Sequence, residues 1–187
     1  MLTRRFEEAL LYATRLHADQ LRKGSSVPYI SHLMAVSALT LEYGGGENEA
    51  IAALLHDAIE DQGGAATRDE ILERFGPEIT AIVDGCTDTD ESPKPPWRAR
   101  KEAYIAHLRT APPSVRLVSA CDKLHNARSL ARDYRQCGES LWMRFSGGRE
   151  GTLWYYRAIV DALGATGRTL LIEELDRAVT ELESLTR

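Results

Sequence analysis

Apolar residues recur at three- and four-residue spacing along almost the whole chain, and no segment sustains the two-residue alternation of a half-buried strand. The pattern predicts an all-α protein. The first helix is expected from Thr3 to Gln20, with Phe6, Leu10, Ala13 and Leu16 along one stripe, and a turn from Lys23 to Pro28 follows it. Ser31 is placed to cap a second helix from His32 to Tyr43, which Gly44, Gly45 and Gly46 end. A third helix is expected from Glu47 to about Asp61. Thr67 and Glu70 form a T-x-x-E capping box for a short helix that stops at Gly76-Pro77, and Pro77 opens the next, to about Cys86.

Residues 87–97, TDTDESPKPPW, are turn-rich and lack periodicity, which marks a loop. Helix is predicted again over Arg98–Arg109 and, after Pro112-Pro113, over Ser114–Gln136, with Gly138 closing it. A short amphipathic piece from Leu141 to Phe145, the Gly147-Gly148 break, a helix over Arg149–Leu163 and a last one to Leu185 complete the chain. The expected architecture is one domain, residues 1–187, built as a bundle of about nine or ten helices.

A chain of 187 residues buries enough surface to fold without a metal staple, so any metal site serves chemistry. The longest uncharged run, Gly24–Leu41, carries Ser25, Ser26, Pro28, Ser31 and His32, which excludes a membrane-spanning helix there. The first residues carry Glu7 and Glu8 and no apolar signal core, so the cytoplasm is the expected compartment. Cys86, Cys121 and Cys137 form no C-x-x-C pair and fit reduced thiols. A net charge of −5 disfavours duplex nucleic acid as a partner. Charge is also uneven: residues 1–93 hold 7 Lys and Arg against 17 Asp and Glu, whereas residues 94–187 hold 16 against 11. Carboxylates that hold a cation come mostly from the first half, and cations that hold an anion mostly from the second.

The chemistry concentrates in Leu54–Asp61, where His56, Asp57, Glu60 and Asp61 end an otherwise apolar helix. Glu60 follows His56, and Asp61 follows Asp57, by four residues, which puts each later group one turn along the same face. Three carboxylates crowded in apolar surroundings repel unless a cation neutralises them. Adjacent His56 and Asp57 supply two ligands. His32, at the start of a helix, and Asp122, inside the run Leu117–Cys121 and beyond, are the further candidates. Two imidazoles and two carboxylates suit Mn²⁺, Fe²⁺ or Zn²⁺ with positions left for water or substrate. Asn126 lies one turn beyond Asp122 and can donate to whatever the metal holds. His17 and His125 fall at core positions and His107 at a surface one, while Trp154, Tyr155 and Tyr156 read as core.

The adjacent His56-Asp57 pair resembles the HD-domain metal-dependent phosphohydrolases. Three ordered segments narrow the resemblance: Arg22-Lys23-Gly24 with Pro28–His32, then His56–Asp61, then Asp122–Leu130. Together they are similar to the hydrolase domain of the RelA/SpoT alarmone enzymes from about Phe6 to Leu130, with weaker similarity over Arg149–Tyr156. Because the sequence stops near residue 187, the stand-alone small alarmone hydrolases are the expected nearest relatives. The resemblance implies removal of pyrophosphate from the 3′ position of guanosine tetra- and pentaphosphate (ppGpp and pppGpp) with one Mn²⁺. It implies His32, His56, Asp57 and Asp122 as metal ligands, Glu60 and Asp61 as the groups that align and activate water, Arg22 and Lys23 around base and ribose, Asn126 at the sugar and Arg149 at phosphate.

Two positions depart from the family pattern. Ser129 stands where Thr is common, and a phosphate-binding Lys of some relatives falls at Trp97, with Arg98, Arg100 and Lys101 close by. The basic stretch Lys94–Lys101 reads equally as an exposed loop or a phosphate clamp. Base preference therefore stays open between guanosine and adenosine nucleotides, a general HD nucleotidase acting on nucleoside monophosphates is the second enzyme reading, and a nucleotide sensor without turnover is the third. Oligomeric state is not legible.

Overall fold

The computed structural model describes residues 1–89, 93–165 and 167–187. The helical expectation holds: among the described residues regular structure is helical, and extended pairing is limited to one bridge between Leu21 and Pro28. No helix among them is long and apolar enough to cross a membrane. Of the loop expected over residues 87–97, residues 90–92 lie outside the described residues, and helix resumes at Trp97.

The described chain forms two compact units. The first comprises Met1–Lys94 and Pro112–Cys121, the second Pro95–Ala111 and Asp122–Arg187. In the first, α1 (Arg4–Leu16), α2 (Ile30–Glu42) and α6 (Pro77–Cys86) pack around α3 (Glu47–Leu55). Ala50, Ile51, Ala52, Ala53, Leu54 and Leu55 are all buried, so α3 is sealed on every side and is the core of this unit. The short α4 (Ala58–Gln62) and α5 (Ala65–Phe75) lead from it to α6.

Several boundaries differ from expectation for identifiable reasons. Thr3 does cap α1, its side-chain oxygen accepting from Arg5 N at 3.2 Å, but the helix ends at Leu16. Helix α2 begins at Ile30, so Ser31 is inside its first turn rather than capping it. The expected third helix is broken at His56-Asp57. His56 Nδ1 meets the Ala53 carbonyl oxygen at 2.8 Å, taking an acceptor that the helix would otherwise use, and Asp57 O restarts the ladder by accepting from Asp61 N at 3.0 Å. The Thr67–Glu70 capping box is not formed. Gly63 (φ 136°) and Gly64 (φ 59°) turn the chain into helix by Ala65, and Thr67 Oγ1 donates back to the Gln62 carbonyl at 2.8 Å.

The Gly44–Gly46 run serves three purposes. Gly44 takes a left-handed φ of 90°; a Cβ on Gly45 would lie 2.8 Å from the Thr40 carbonyl oxygen; Gly46 N donates to the Glu49 carboxylate at 3.0 Å.

In the second unit, α7 (Trp97–Leu108), α9 (Gly148–Gly164) and α10 (Leu170–Leu185) pack together, with the short 3₁₀ segment Gly138–Arg144 against α9. Helix α8 (Pro113–Cys137) supplies residues from Asp122 onward to this unit. Trp97 fills space that Gly147 and Gly151 leave, since Cβ atoms there would approach its indole to 2.6 and 3.1 Å. Arg157 clasps α10, donating to Asp176 at 2.5 Å and to Glu183 at 2.7 and 3.0 Å.

Two stability predictions follow from this packing. Gly45→Ala sets a methyl group against a backbone carbonyl that cannot yield, and is expected to cost about 2 kcal/mol, read as a Tm lower by roughly 4–8 °C in thermal unfolding. The Arg157 hydrogen bond pulls the Asp176 carboxyl below the ordinary aspartate range, against a smaller opposing push from burial. A folded-state value below the unfolded one gives stability that is complete above about pH 3.9 and lost as pH falls through the folded value. Tm of Asp176→Asn is thus expected below that of the parent at pH 7, with the gap narrowing as pH falls below the unfolded value of about 3.9.

Candidate metal centre

The site is built where three local features of the first unit meet. The end of α3 carries His56 and Asp57, the start of α2 carries His32, and the short α4 carries Glu60 and Asp61. His32 and His56 are fully buried, their rings edge to face with centroids 5.2 Å apart. Asp57 Oδ2 lies 3.0 Å from His56 Nε2 and 3.7 Å from His32 Nε2. One donor atom from each of His32, His56 and Asp57 lies within 4.8 Å of the others, the spacing of a shared metal ion.

The hydrogen-bond pattern gives this cluster its chemistry. His56 Nδ1 faces a carbonyl oxygen, an acceptor, so Nδ1 carries the proton and Nε2 presents a lone pair towards the Asp57 carboxylate. Asp57 Oδ2 accepts from Tyr29 Oη at 2.6 Å. A nitrogen lone pair at 3.0 Å from an anionic oxygen is favourable only with positive charge between them. The residues present therefore fit a divalent cation, with Ala53 O and Tyr29 Oη orienting two of its ligands.

The two further carboxylates are held differently. Asp61 accepts from Gln20 Nε2 at 2.8 Å; burial first, and the charge of Asp57 second, push its carboxyl above the ordinary aspartate range. Glu60 is paired with Lys94 Nζ at 2.9 Å. Arg22 lies in the turn after α1 with its guanidinium 5.6 Å from the Tyr29 ring centre, and neighbouring Lys23 is exposed. His17 is buried as expected, its ring stacked on Tyr29 at 5.3 Å. The three cysteines are free thiols.

The remaining expected residues belong to the second unit. Asp122 is buried in α8, its two oxygens accepting from Lys123 Nζ and Asn126 Nδ2, each at 2.5 Å. Burial works against the Lys123 ammonium, but Asp122 and then Tyr155 and Tyr104 hold it protonated, well above the ordinary lysine range. Arg149 faces Glu139 at 3.9 Å on the exposed side of α9. Ser129 is buried, His125 half-buried and His107 exposed. Tyr155 and Tyr156 are buried and Trp154 half-buried. Arg98 stacks over the Trp154 ring at 3.2 Å, and Lys101 over Tyr155 at 4.9 Å.

Sequence reading overlooked Gln20, Tyr29, Lys94 and Lys123, each of which touches a carboxylate of the expected site. Tyr29 and Gln20 left a signal: both are hydrogen-bonding side chains flanking the 23–28 turn, Tyr29 inside the first motif and Gln20 two residues before its Arg22.

The HD domain family matches residues 9–153. A guanosine-3′,5′-bis(diphosphate) 3′-pyrophosphohydrolase of Xenopus tropicalis is 36% identical over 128 residues, 67% of this chain and 69% of that protein. Its Homo sapiens counterpart is 34% identical over the same shares. A probable GTP pyrophosphokinase of Mycobacterium leprae is 36% identical over 127 residues, 66% of this chain but 16% of that much longer protein. Among solved structures, one described as a metazoan orthologue of SpoT that hydrolyses ppGpp superposes with a TM-score of 0.79 at 28% identity, covering 95% of both chains. The lmo0812 protein of Listeria monocytogenes superposes with a TM-score of 0.70 at 27% identity, over 80% of this chain and 96% of that one. An all-helical fold that places a buried histidine pair around the aspartate of an HD dipeptide, together with these matches, makes the chain a member of the HD domain family, with homology to the RelA/SpoT-type hydrolases.

Proposed function

We propose that this chain is a metal-dependent pyrophosphohydrolase that removes the 3′-pyrophosphate of guanosine tetra- and pentaphosphate. The observation that carries the reading is the buried His32, His56 and Asp57 cluster with Asp61 one turn beyond it. The relatives named for that activity, and the structural neighbour described as hydrolysing ppGpp, support the substrate.

In this reading His32, His56 and Asp57 hold the ion, and Asp122 is assigned as the fourth ligand by its place in the third motif. A bound divalent cation supplies positive charge for the phosphoryl oxygens and makes water more acidic. Mn²⁺ suits the mixed nitrogen and oxygen donors, with Fe²⁺ and Zn²⁺ as competitors. Asp61, one turn beyond Asp57, takes a proton from the attacking water. The new bond joins that water oxygen to phosphorus as the bond from phosphorus to the ribose 3′ oxygen breaks, and the departing oxygen takes up a proton from solvent. Glu60 aligns the water. Arg22 and Lys23 enclose base and ribose, Arg22 by stacking, with Asn126 at the sugar and Arg149 at phosphate. The protein acts on a free nucleotide in the cytoplasm and on neither nucleic acid nor membrane.

Protein stripped with a chelator and resupplied with Mn²⁺ is expected to convert guanosine tetraphosphate to guanosine diphosphate and pyrophosphate, with no turnover before metal is added. Turnover of the adenosine analogue alone would move the base preference; turnover of deoxynucleoside monophosphates alone would replace the reading by a general nucleotidase; tight binding without product would leave a sensor.

Two variants separate the roles. Asp57→Ala is expected to lose Mn²⁺ binding in metal titration and nearly all activity, because an inward ligand and the partner of two buried histidines go together. Asp61→Asn is expected to keep Mn²⁺ affinity while kcat falls about 10²- to 10⁴-fold.

A further inference from the structure

Asp61 lines an open groove of about 460 Å³ together with Arg15, Leu16, Gln20 and Gln62. A carboxylate beside solvent rotates about its last bond unless something holds it, and the structure supplies the hold. Gln20 Nε2 donates to Asp61 Oδ2 at 2.8 Å, while Gln20 Oε1 accepts from Gln62 Nε2 at 2.6 Å and faces His17 Nδ1 at 2.6 Å. An ionised carboxylate only accepts and an amide nitrogen only donates. The Gln20 amide therefore has one orientation that satisfies both neighbours, since turning it over sets oxygen against oxygen and nitrogen against nitrogen.

The amide is fixed from behind as well. Gln20 O accepts from Tyr29 N at 2.9 Å beside the Leu21–Pro28 bridge, and His17 is stacked on the Tyr29 ring. That same Tyr29 donates to Asp57. One pinned turn thus reaches two carboxylates of the site through two different side chains.

We propose that Gln20 is a positioning residue for the hydrolysis, acting through Asp61: it fixes the carboxylate that takes the water proton, with Gln62 and His17 holding its amide in register. The inference rests on Asp61 having that role. Misplacing a reacting group by about an ångström costs on the order of 10²-fold in rate, which sets the expected size of the effect.

Two measurements test it. In ¹H–¹⁵N spectra of metal-free protein, the Gln20 side-chain amide protons are expected to exchange slowly with solvent and to shift on Asp61→Asn; indifference to that change overturns the inference whatever the activity. In kinetics, Gln20→Leu, and Gln20→Glu as the variant of unchanged shape, are expected to lower kcat about 10- to 100-fold with KM and Mn²⁺ affinity nearly unchanged. In the Asp61→Asn background neither is expected to lower it further. Full kcat in folded Gln20→Leu, or losses that multiply with Asp61→Asn, overturns the inference while leaving the hydrolase reading intact. Unmodified protein that turns over no guanosine tetraphosphate with Mn²⁺ overturns that reading instead, and the amide spectra, needing neither metal nor substrate, decide the contact alone.

Discussion

Two imidazole nitrogens and a carboxylate oxygen share a few ångströms of buried space at the end of α3, and that arrangement needs positive charge to persist. A proton on one imidazole would satisfy one contact; a divalent cation satisfies all three. The surrounding structure is consistent with this demand. Residues Ala50–Leu55 of helix α3 are all buried, so the chain enters the site from an apolar core. The helix also stops where the charge begins: His56 spends Nδ1 on the Ala53 carbonyl, which both ends the ladder and commits Nε2 to the site. Local structure and chemistry thus come from one hydrogen bond.

Much of this was legible in the residues. Period told helix from strand, and the dipeptide His56-Asp57 at the end of an apolar run marked the place, because charge there has no structural excuse. The break at that dipeptide was not legible, since both residues keep near-helical backbone angles, φ −60° and −99°, and only the side-chain bond to Ala53 O reveals it. The misread cap at Thr67 has a similar origin. T-x-x-E satisfies the cap pattern, but two glycines upstream had already turned the chain, leaving Thr67 Oγ1 to bond backwards to Gln62. Pattern rules see spacing; they do not see which of two partners reaches a backbone group first.

Gln20 and Tyr29 show a deeper limit. Their significance depends on which carboxylates face them, and that is a property of tertiary placement, 41 and 28 residues away along the chain. Sequence could name the motif that contains Tyr29, yet not that its hydroxyl would meet Asp57. A turn whose two sides are pinned by Tyr29 N to Gln20 O and Arg22 N to Val27 O gives both side chains fixed origins, which is what a positioning role requires.

The indole of Trp97 is accommodated by its neighbours. An indole fits there because Gly147 and Gly151 carry no side chain against it, and the ring lies edge-on to Trp154 and Tyr155. Those same rings carry Arg98 and Lys101 on their faces, with Lys123 5.4 Å from the Tyr104 ring and 6.0 Å from Tyr155. Several cations of this unit thus lie against aromatic faces beside Trp97. Each of these charges is attracted by a ring quadrupole at about 0.5–2 kcal/mol. Such groupings hide from position-by-position reading, because the ring and the charge it attracts lie on different helices and meet only in the fold.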